Sequence, residues 1–161
     1  MNVNKLILDA TCGGRMMWFD KNNPLALFVD KRKVPETTLC DGRRFRVDPD
    51  VVADFTCLPF PDKYFKLIVF DPPQLIRSGD QCYLTIKYGK LESDWAETIR
   101  KGFQECMRVL DDYGTLIFKW SEIQIPTRKV IEAIGQQPLF GHISGKKSNT
   151  HWMTFMKLPQ T

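Results

Sequence analysis

Short apolar runs that end in an acidic residue recur along this chain. Lys5–Asp9, Leu25–Asp30, Val51–Phe55 with its Asp54, and Lys66–Phe70 followed by Asp71 are four of them. Runs of this length without polar alternation read as strands buried on both faces, the pattern of a parallel sheet. The period then changes. From Asp94 to Leu110, the residues Trp95, Ile99, Phe103, Cys106 or Met107, and Leu110 recur at helical spacing. Asp94 with Glu97 three residues on has the form of a capping box. Gly102 inside this helix costs about 1 kcal/mol relative to Ala. Asp111–Gly114 reads as a turn into a fifth strand, Thr115–Trp120. Thr127–Gln136 is a second long helix, with Val130, Ile131 and Ile134 on one face and Pro138 just past its end. Leu139–Ser144 and His151–Leu158 are two further strands, joined by a loop of hairpin length. A short helix is expected over Arg15–Lys21.

Strands that alternate with helices predict an α/β fold with a doubly wound, mostly parallel sheet. The C-terminal hairpin adds one antiparallel strand. The chain of 161 residues carries no repeat and no linker, so one domain over residues 1–161 is expected. Apolar content of 43% beside 26% charged residues is that of a water-soluble protein. The apolar runs are too short to span a bilayer, and Met1-Asn2-Val3-Asn4 opens no signal-peptide core. The five cysteines are odd in number and lack Cys-x-x-Cys spacing. Reduced thiols in a cytoplasmic protein are expected, with neither disulfides nor zinc. His142 and His151 have no partner at metal-ligand spacing, so no metal is expected.

The candidate chemistry sits where the apolar runs stop. Open α/β sheets bind ligands at the carboxyl ends of their strands. Asp9-Ala10-Thr11-Cys12-Gly13-Gly14 takes the first strand into a glycine turn, which lets backbone approach a ligand closely. Asp30 ends the next strand about twenty positions on, where a carboxylate accepts bonds from ribose hydroxyls. The dinucleotide pattern G-x-G-x-x-G and the P-loop are absent, which disfavours nicotinamide and flavin cofactors. Asp71-Pro72-Pro73-Gln74 ends the fourth run. The prolines stop both strand pairing and helix there and stiffen the backbone beside a carboxylate. A rigid carboxylate and a rigid carbonyl are two acceptors suited to an amino group.

Taken together, these positions resemble a class I S-adenosylmethionine-dependent methyltransferase with a Rossmann-like sheet, over nearly the whole chain. Asp9–Gly14 is similar to the first motif, with Gly13 as its central glycine. Asp30 matches the acid that holds the ribose. The run Asp54-Phe55-Thr56-Cys57-Leu58-Pro59-Phe60-Pro61-Asp62 resembles the third motif, whose acid meets the adenine amino group. Asp71-Pro72-Pro73-Gln74 resembles the fourth motif of the amino-methyltransferase branch. The resemblance implies S-adenosylmethionine as cofactor, held by Asp9, Ala10, Thr11, Cys12, Gly13, Asp30, Asp54 and Phe55. It implies a catalytic segment of Asp71, Pro72, Pro73 and Gln74. There Asp71 and the Pro72 carbonyl would take the two N–H bonds of an amine and favour its nucleophilic form. The branch carries an aromatic residue where this chain has Gln74, so stacking on the target would fall to Tyr83 or Tyr88, or Gln74 would hydrogen-bond the target instead.

The implied acceptor is an exocyclic amine of adenine or cytosine in DNA or RNA. Alternatives are a small-molecule or protein methyltransferase, or a module that binds the cofactor or nucleic acid without catalysis. The net charge of +4 permits a nucleic-acid partner without requiring one. Leu75–Ser93 is a long connection carrying Arg77, Tyr83, Lys87, Tyr88 and Lys90, a mixture that suits nucleic acid or a solvated flap. Lys31–Arg46 gathers basic residues that would attract phosphates or simply coat a loop. Trp18, Phe19 and Trp120 would wall the site or pack the core. No separate recognition region is evident, so sequence specificity would come from Leu75–Ser93, a partner protein or the substrate's shape.

Overall fold

The computed structural model describes residues 4–76, 85, 89–143 and 149–159. Its elements run β1 (Ile7–Asp9), β2 (Ala26–Asp30), β3 (Val34–Thr38), β4 (Arg44–Val47), β5 (Val51–Val52), β6 (Phe65–Phe70), α1 (Trp95–Val109), β7 (Leu110–Ser121), α2 (Thr127–Ile134), β8 (Phe140–Ile143) and β9 (Thr150–Met156). Seven strands form one sheet in the order β5-β2-β1-β6-β7-β9-β8. Every pairing from β5 to β7 is parallel, and β9 runs antiparallel between β7 and β8. This is the mostly parallel, doubly wound sheet with one reversed strand that the alternation predicts. The chain moves outward from β1 through β2 to β5, then restarts at β6 on β1's other side. Strand order therefore reverses between β1 and β6, and the crevice of an open α/β sheet lies there.

Burial explains the continuous apolar runs. Leu8, Val29, Ile68, Leu116, Phe118 and Phe155 are fully buried within the sheet. Helix α1 covers one face through Ile99, Gly102, Phe103, Cys106 and Val109. Phe70 of β6 packs on Phe118 of β7 with ring centroids 5.0 Å apart, and on Phe55 at 5.2 Å. Such aromatic pairs contribute about 0.5–1.5 kcal/mol each beyond the area they bury. No described helix is long and apolar enough to cross a membrane.

Several expectations change. Residues 15–21 form turns instead of a helix. Arg15 takes a left-handed φ of 55°, and its guanidinium donates to the Lys21 and Asp48 carbonyls at 2.6 and 2.8 Å. Asp20 and Asn23 each accept a backbone N–H two residues on, which competes with helical bonding. The basic stretch after β2 is a β-hairpin, β3–β4, with its own small core of Leu39, Phe45 and Val47 packed against Val34. The strand expected over residues 51–55 pairs only at Val51 and Val52. The turn expected at residues 111–114 is a bulge inside β7: Phe65 pairs with Leu110 and Leu67 with Thr115. Helix α2 stops at Ile134 because Gly135 caps it in the left-handed conformation at φ 72°. Asp94 sits at the N-cap of α1 but makes no side-chain cap bond, and Glu97 pairs with Arg100 instead.

Gly102 is explained by contact. A Cβ there would lie 2.4 Å from the Phe55 ring and 2.8 Å from Phe70. Phe70 is fully buried and Phe55 packs on it edge to face, so relieving the clash means moving a packed ring. Gly102→Ala should therefore destabilise the protein by about 1–3 kcal/mol in urea unfolding, through overpacking. Helix propensity alone favours Ala by about 1 kcal/mol. A stabilised Gly102→Ala protein would show that the packing reading of this glycine is wrong.

Candidate active site

The sheet register sets the heights of the acidic residues. Asp9 pairs with Phe28 on one side and Val69 on the other. Asp30 and Asp71 each lie two residues further along their strands. The loop after β1 rises between them and is tied to both. The Gly13 N–H donates to Asp30 Oδ2 at 2.9 Å, and Gly13 holds a left-handed φ of 48°. On the other side, the Asp71 N–H donates to Thr11 Oγ1 at 2.7 Å. Asp54 follows β5, and its Oδ1 accepts the Thr56 N–H at 2.9 Å and the Thr56 hydroxyl at 2.7 Å. Partial burial alone would raise the Asp54 carboxyl, but these two bonds and the nearby Lys31 ammonium together hold its pKa below the ordinary value.

A cavity of about 380 Å³ opens over these strand ends. Of the residues singled out in the sequence, Ala10, Thr11, Cys12, Gly13, Asp30, Asp54, Phe55, Asp71 and Pro73 line it. Asp9, Pro72 and Gln74 are not among its lining residues. Asp9 lies deeper, only 1% exposed. Its Oδ1 accepts the Thr11 N–H at 3.2 Å and its Oδ2 the Trp18 indole N–H at 2.7 Å. Burial lifts this carboxyl to about 7, against the pull of those two donors. In this position Asp9 anchors the turn that the cavity rests on.

Asp71, like Asp30, is a buried acid that does reach the cavity. Its Oδ1 accepts the Gln74 side-chain amide at 2.8 Å, and its Oδ2 lies 3.4 Å from the Lys119 ammonium. Burial lifts the Asp71 carboxyl to about 6, while Lys119 and Gln74 hold it down. Gln74 is thus a hydrogen-bonding partner of Asp71 and is half-buried beside it. Burial pushes the Cys12 thiol up, which keeps it protonated and unreactive.

Other lining residues escaped sequence reasoning. Lys119 projects from β7, and Asp94 and Thr98 come from the first turn of α1 with its N-cap. The one available signal for Lys119 was a cation between two aromatics inside an apolar run. Asp94 and Thr98 sit four residues apart, one helical turn, at the end of α1 facing the crevice. Trp120 is fully buried and donates to the Ile125 carbonyl, so it packs the core. Trp18 packs on Phe28, whereas Phe19 projects fully into solvent. Lys90 lines the cavity, while Arg77, Tyr83, Lys87 and Tyr88 lie outside the described residues. Among the described residues no cluster of His, Cys, Asp or Glu could hold a metal ion.

The loop after Asp54 is clamped from α1. Arg108 donates to the Leu58 and Phe60 carbonyls, each at 2.9 Å, and to Asp62 at 2.7 Å. Glu105 pairs with Arg108 and accepts the Leu58 N–H at 2.7 Å. These charge-assisted bonds fix the segment that presents Asp54 and Phe55 to the cavity.

No protein-family model matches the chain, and no curated protein sequence matches it either. Among solved structures it is similar to a protein from Pyrococcus horikoshii, with 14% identity and a TM-score of 0.58, over 94% of this chain and 81% of that one. It is also similar to a SAM-dependent methyltransferase from Leishmania major, with 16% identity and a TM-score of 0.55. That match covers 94% of this chain but only 63% of the Leishmania protein. At these identities the likeness is one of fold, and the fold of this chain is the Rossmann-like methyltransferase fold.

Proposed function

We propose that this chain is an S-adenosylmethionine-dependent N-methyltransferase acting on an exocyclic amine of adenine or cytosine in DNA or RNA. The observation that carries the reading is the position of Asp71. It is a buried carboxylate at the carboxyl end of β6, opening into the same cavity as Gly13, Asp30 and Asp54.

The donor set suits the cofactor. The cavity volume lies within the ordinary range for a small-ligand site. Asp30 accepts from the Gly13 and Arg32 N–H groups and pairs with the Arg32 guanidinium at 3.4 Å, which leaves one of about four acceptor sites for a ribose hydroxyl. Asp54 and the Phe55 ring offer an acceptor and an apolar wall for a purine. The turn at Gly13 brings backbone to the cavity without a side chain in the way. When bound, the cofactor supplies a methyl group on a sulfonium, an electrophile that needs only an aligned nucleophile.

The chain's task is then to position the amine. Asp71 accepts one N–H and draws the nitrogen lone pair out of conjugation. Gln74 and Lys119 hold the carboxylate in place from either side. A fixed negative group aimed at charge that develops during transfer needs no reorganisation in the transition state. Only its ionised form can do this. Because burial raises the Asp71 pKa to about 6, the acceptor form is lost on acidification below that value.

A second reading, methylation of a small-molecule or protein amine, has one observation in its favour. Gln74 is bonded to Asp71 and offers no stacking surface for a base.

Calorimetry with S-adenosylhomocysteine tests the cofactor. Binding is expected, and Asp54→Ala should weaken it about tenfold, the loss of one hydrogen bond to a charged group. No binding at high micromolar concentration would remove the methyltransferase reading. Labelled methyl transfer to DNA, RNA and a panel of small amines separates the two acceptor classes. Asp71→Ala should abolish turnover and spare cofactor affinity; turnover that survives would dismiss the amine-gripping role. For the wild type, kcat should fall about tenfold per pH unit below a midpoint near 6. A flat profile from pH 7 to pH 5 would mean that Asp71 ionisation is not required.

A further inference from the structure

Lys119 does more in this cavity than neutralise Asp71. It pairs with Trp152 across the β7–β9 ladder and lies between the fully buried Phe118 and Trp120 in sequence. Its ammonium sits 3.4 Å from Asp71 Oδ2 and 5.5 Å from the centroid of the Trp152 ring. Two fixed neighbours hold the Nζ in place. The side chain nevertheless keeps 23% of its exposure and lines the cavity beside Asp71.

An ammonium has three donors and no acceptor. One points to Asp71, and the Trp152 face takes up a second direction. That leaves a donor for the cavity. Asp71, for its part, retains acceptor sites after Gln74 and Lys119 are counted, since two carboxylate oxygens offer about four. An acceptor and a donor therefore stand side by side over the same space. The matching ligand carries an N–H donor next to a nitrogen lone pair. An amidine edge has that pattern: N6 and N1 of adenine, or N4 and N3 of cytosine. A protonated alkyl amine has donors only, and the Lys119 ammonium repels it; a neutral one has its single lone pair on the nitrogen that must be methylated, with no ring nitrogen beside it for Lys119.

Building on the N-methyltransferase reading, we infer that Lys119 is a specificity-determining residue that donates to the ring nitrogen beside the target amine, so that the acceptor is an unpaired adenine or cytosine read on its Watson–Crick edge. That edge is occupied in a duplex, so the base enters from a single strand or is flipped out. Asp71 selects the amine, and Lys119 selects the ring that bears it. The loss of an aromatic at position 74 is then made good by hydrogen bonding instead of stacking.

The test uses single-stranded oligonucleotides with one adenine or one cytosine, and counterparts with 1-deazaadenine or 3-deazacytosine. The analogues keep the amine and lose the ring nitrogen. Two quantities are read: binding in the presence of S-adenosylhomocysteine, and kcat/KM for methyl transfer. The wild type should lose roughly 10- to 100-fold in both when the ring nitrogen of its accepted base is removed, the span of one well-made base contact. Lys119→Met should still bind S-adenosylhomocysteine but treat parent and deaza base alike. Lys119→Arg keeps charge and donors and should retain part of the discrimination. Equal binding and methylation of parent and deaza base by the wild type overturns the inference and leaves the N-methyltransferase reading standing. Discrimination that survives in Lys119→Met does the same. Binding of neither oligonucleotide by the S-adenosylhomocysteine-loaded protein, or transfer to alkyl amines alone, overturns the inference together with the base acceptor. Absence of S-adenosylhomocysteine binding overturns the proposed function itself, and the inference with it.

Discussion

Three carboxylates are buried at one end of a single sheet, and each needs donors. Asp9, Asp30 and Asp71 are all under a tenth exposed. A buried carboxylate without partners costs several kcal/mol or gives up its charge. The donors come from the segments that leave the strands: the Thr11 and Gly13 N–H groups, the Trp18 indole, the Arg32 N–H, and the Gln74 and Lys119 side chains. This requirement shapes the local chain. Thr11, Gly13 and Trp18 must all turn their N–H groups toward acids below or beside them. A helix begun at residue 15 would point the Trp18 ring elsewhere, and Asp9 would lose its strongest donor. The turn-rich path from Thr11 to Leu25 is the conformation that satisfies the acids, and the cavity is the space this path leaves open.

Hydrophobic packing beneath makes that arrangement rigid. Phe55, Phe70 and Phe118 form a run of ring contacts from the cavity wall into the sheet. Gly102 lets α1 close on two of those rings, so a missing side chain on the helix determines where a cavity residue stands. Arg108 and Glu105, further along the same helix, pin the loop that carries Asp54 and Phe55. One helix thus positions the far wall of the site by packing near its centre and by ion pairing near its end. Core close-packing resists small displacements, so the lining geometry is set before any ligand arrives.

What could be read from the sequence followed from what is local. Strands buried on both faces announce themselves as unbroken apolar runs, so β2, β6 and the body of β7 were legible, and so were the acids that close them. The helix over residues 95–109 was legible from its stripe. Long-range partners were not. Nothing near Arg15 signals that its guanidinium will meet the Asp48 carbonyl, and that contact holds a non-helical turn. The hairpin β3–β4 carried a usable sign in the alternation Arg44-Phe45-Arg46-Val47, which the surrounding positive charge obscured. Asp9 looked equivalent to Asp30 and Asp71. Only the register places it two residues lower than either, out of the cavity.

That difference in height gives two similar acids different surroundings. Asp9 and Asp71 are both buried, and in both burial raises the carboxyl pKa. Asp9 has neutral donors only and rises to about 7; Asp71 faces the Lys119 cation and rises to about 6. In each case the folded value exceeds the unfolded one. Ionisation therefore opposes folding, and the penalty develops as pH climbs from near 4 toward the folded pKa. The fold tolerates this at Asp9 because its contacts hold a turn whether or not the group is charged. At Asp71 the Lys119 cation offsets part of the penalty. The same cation lines the cavity beside the carboxylate, so a buried acid and its counter-charge face one space.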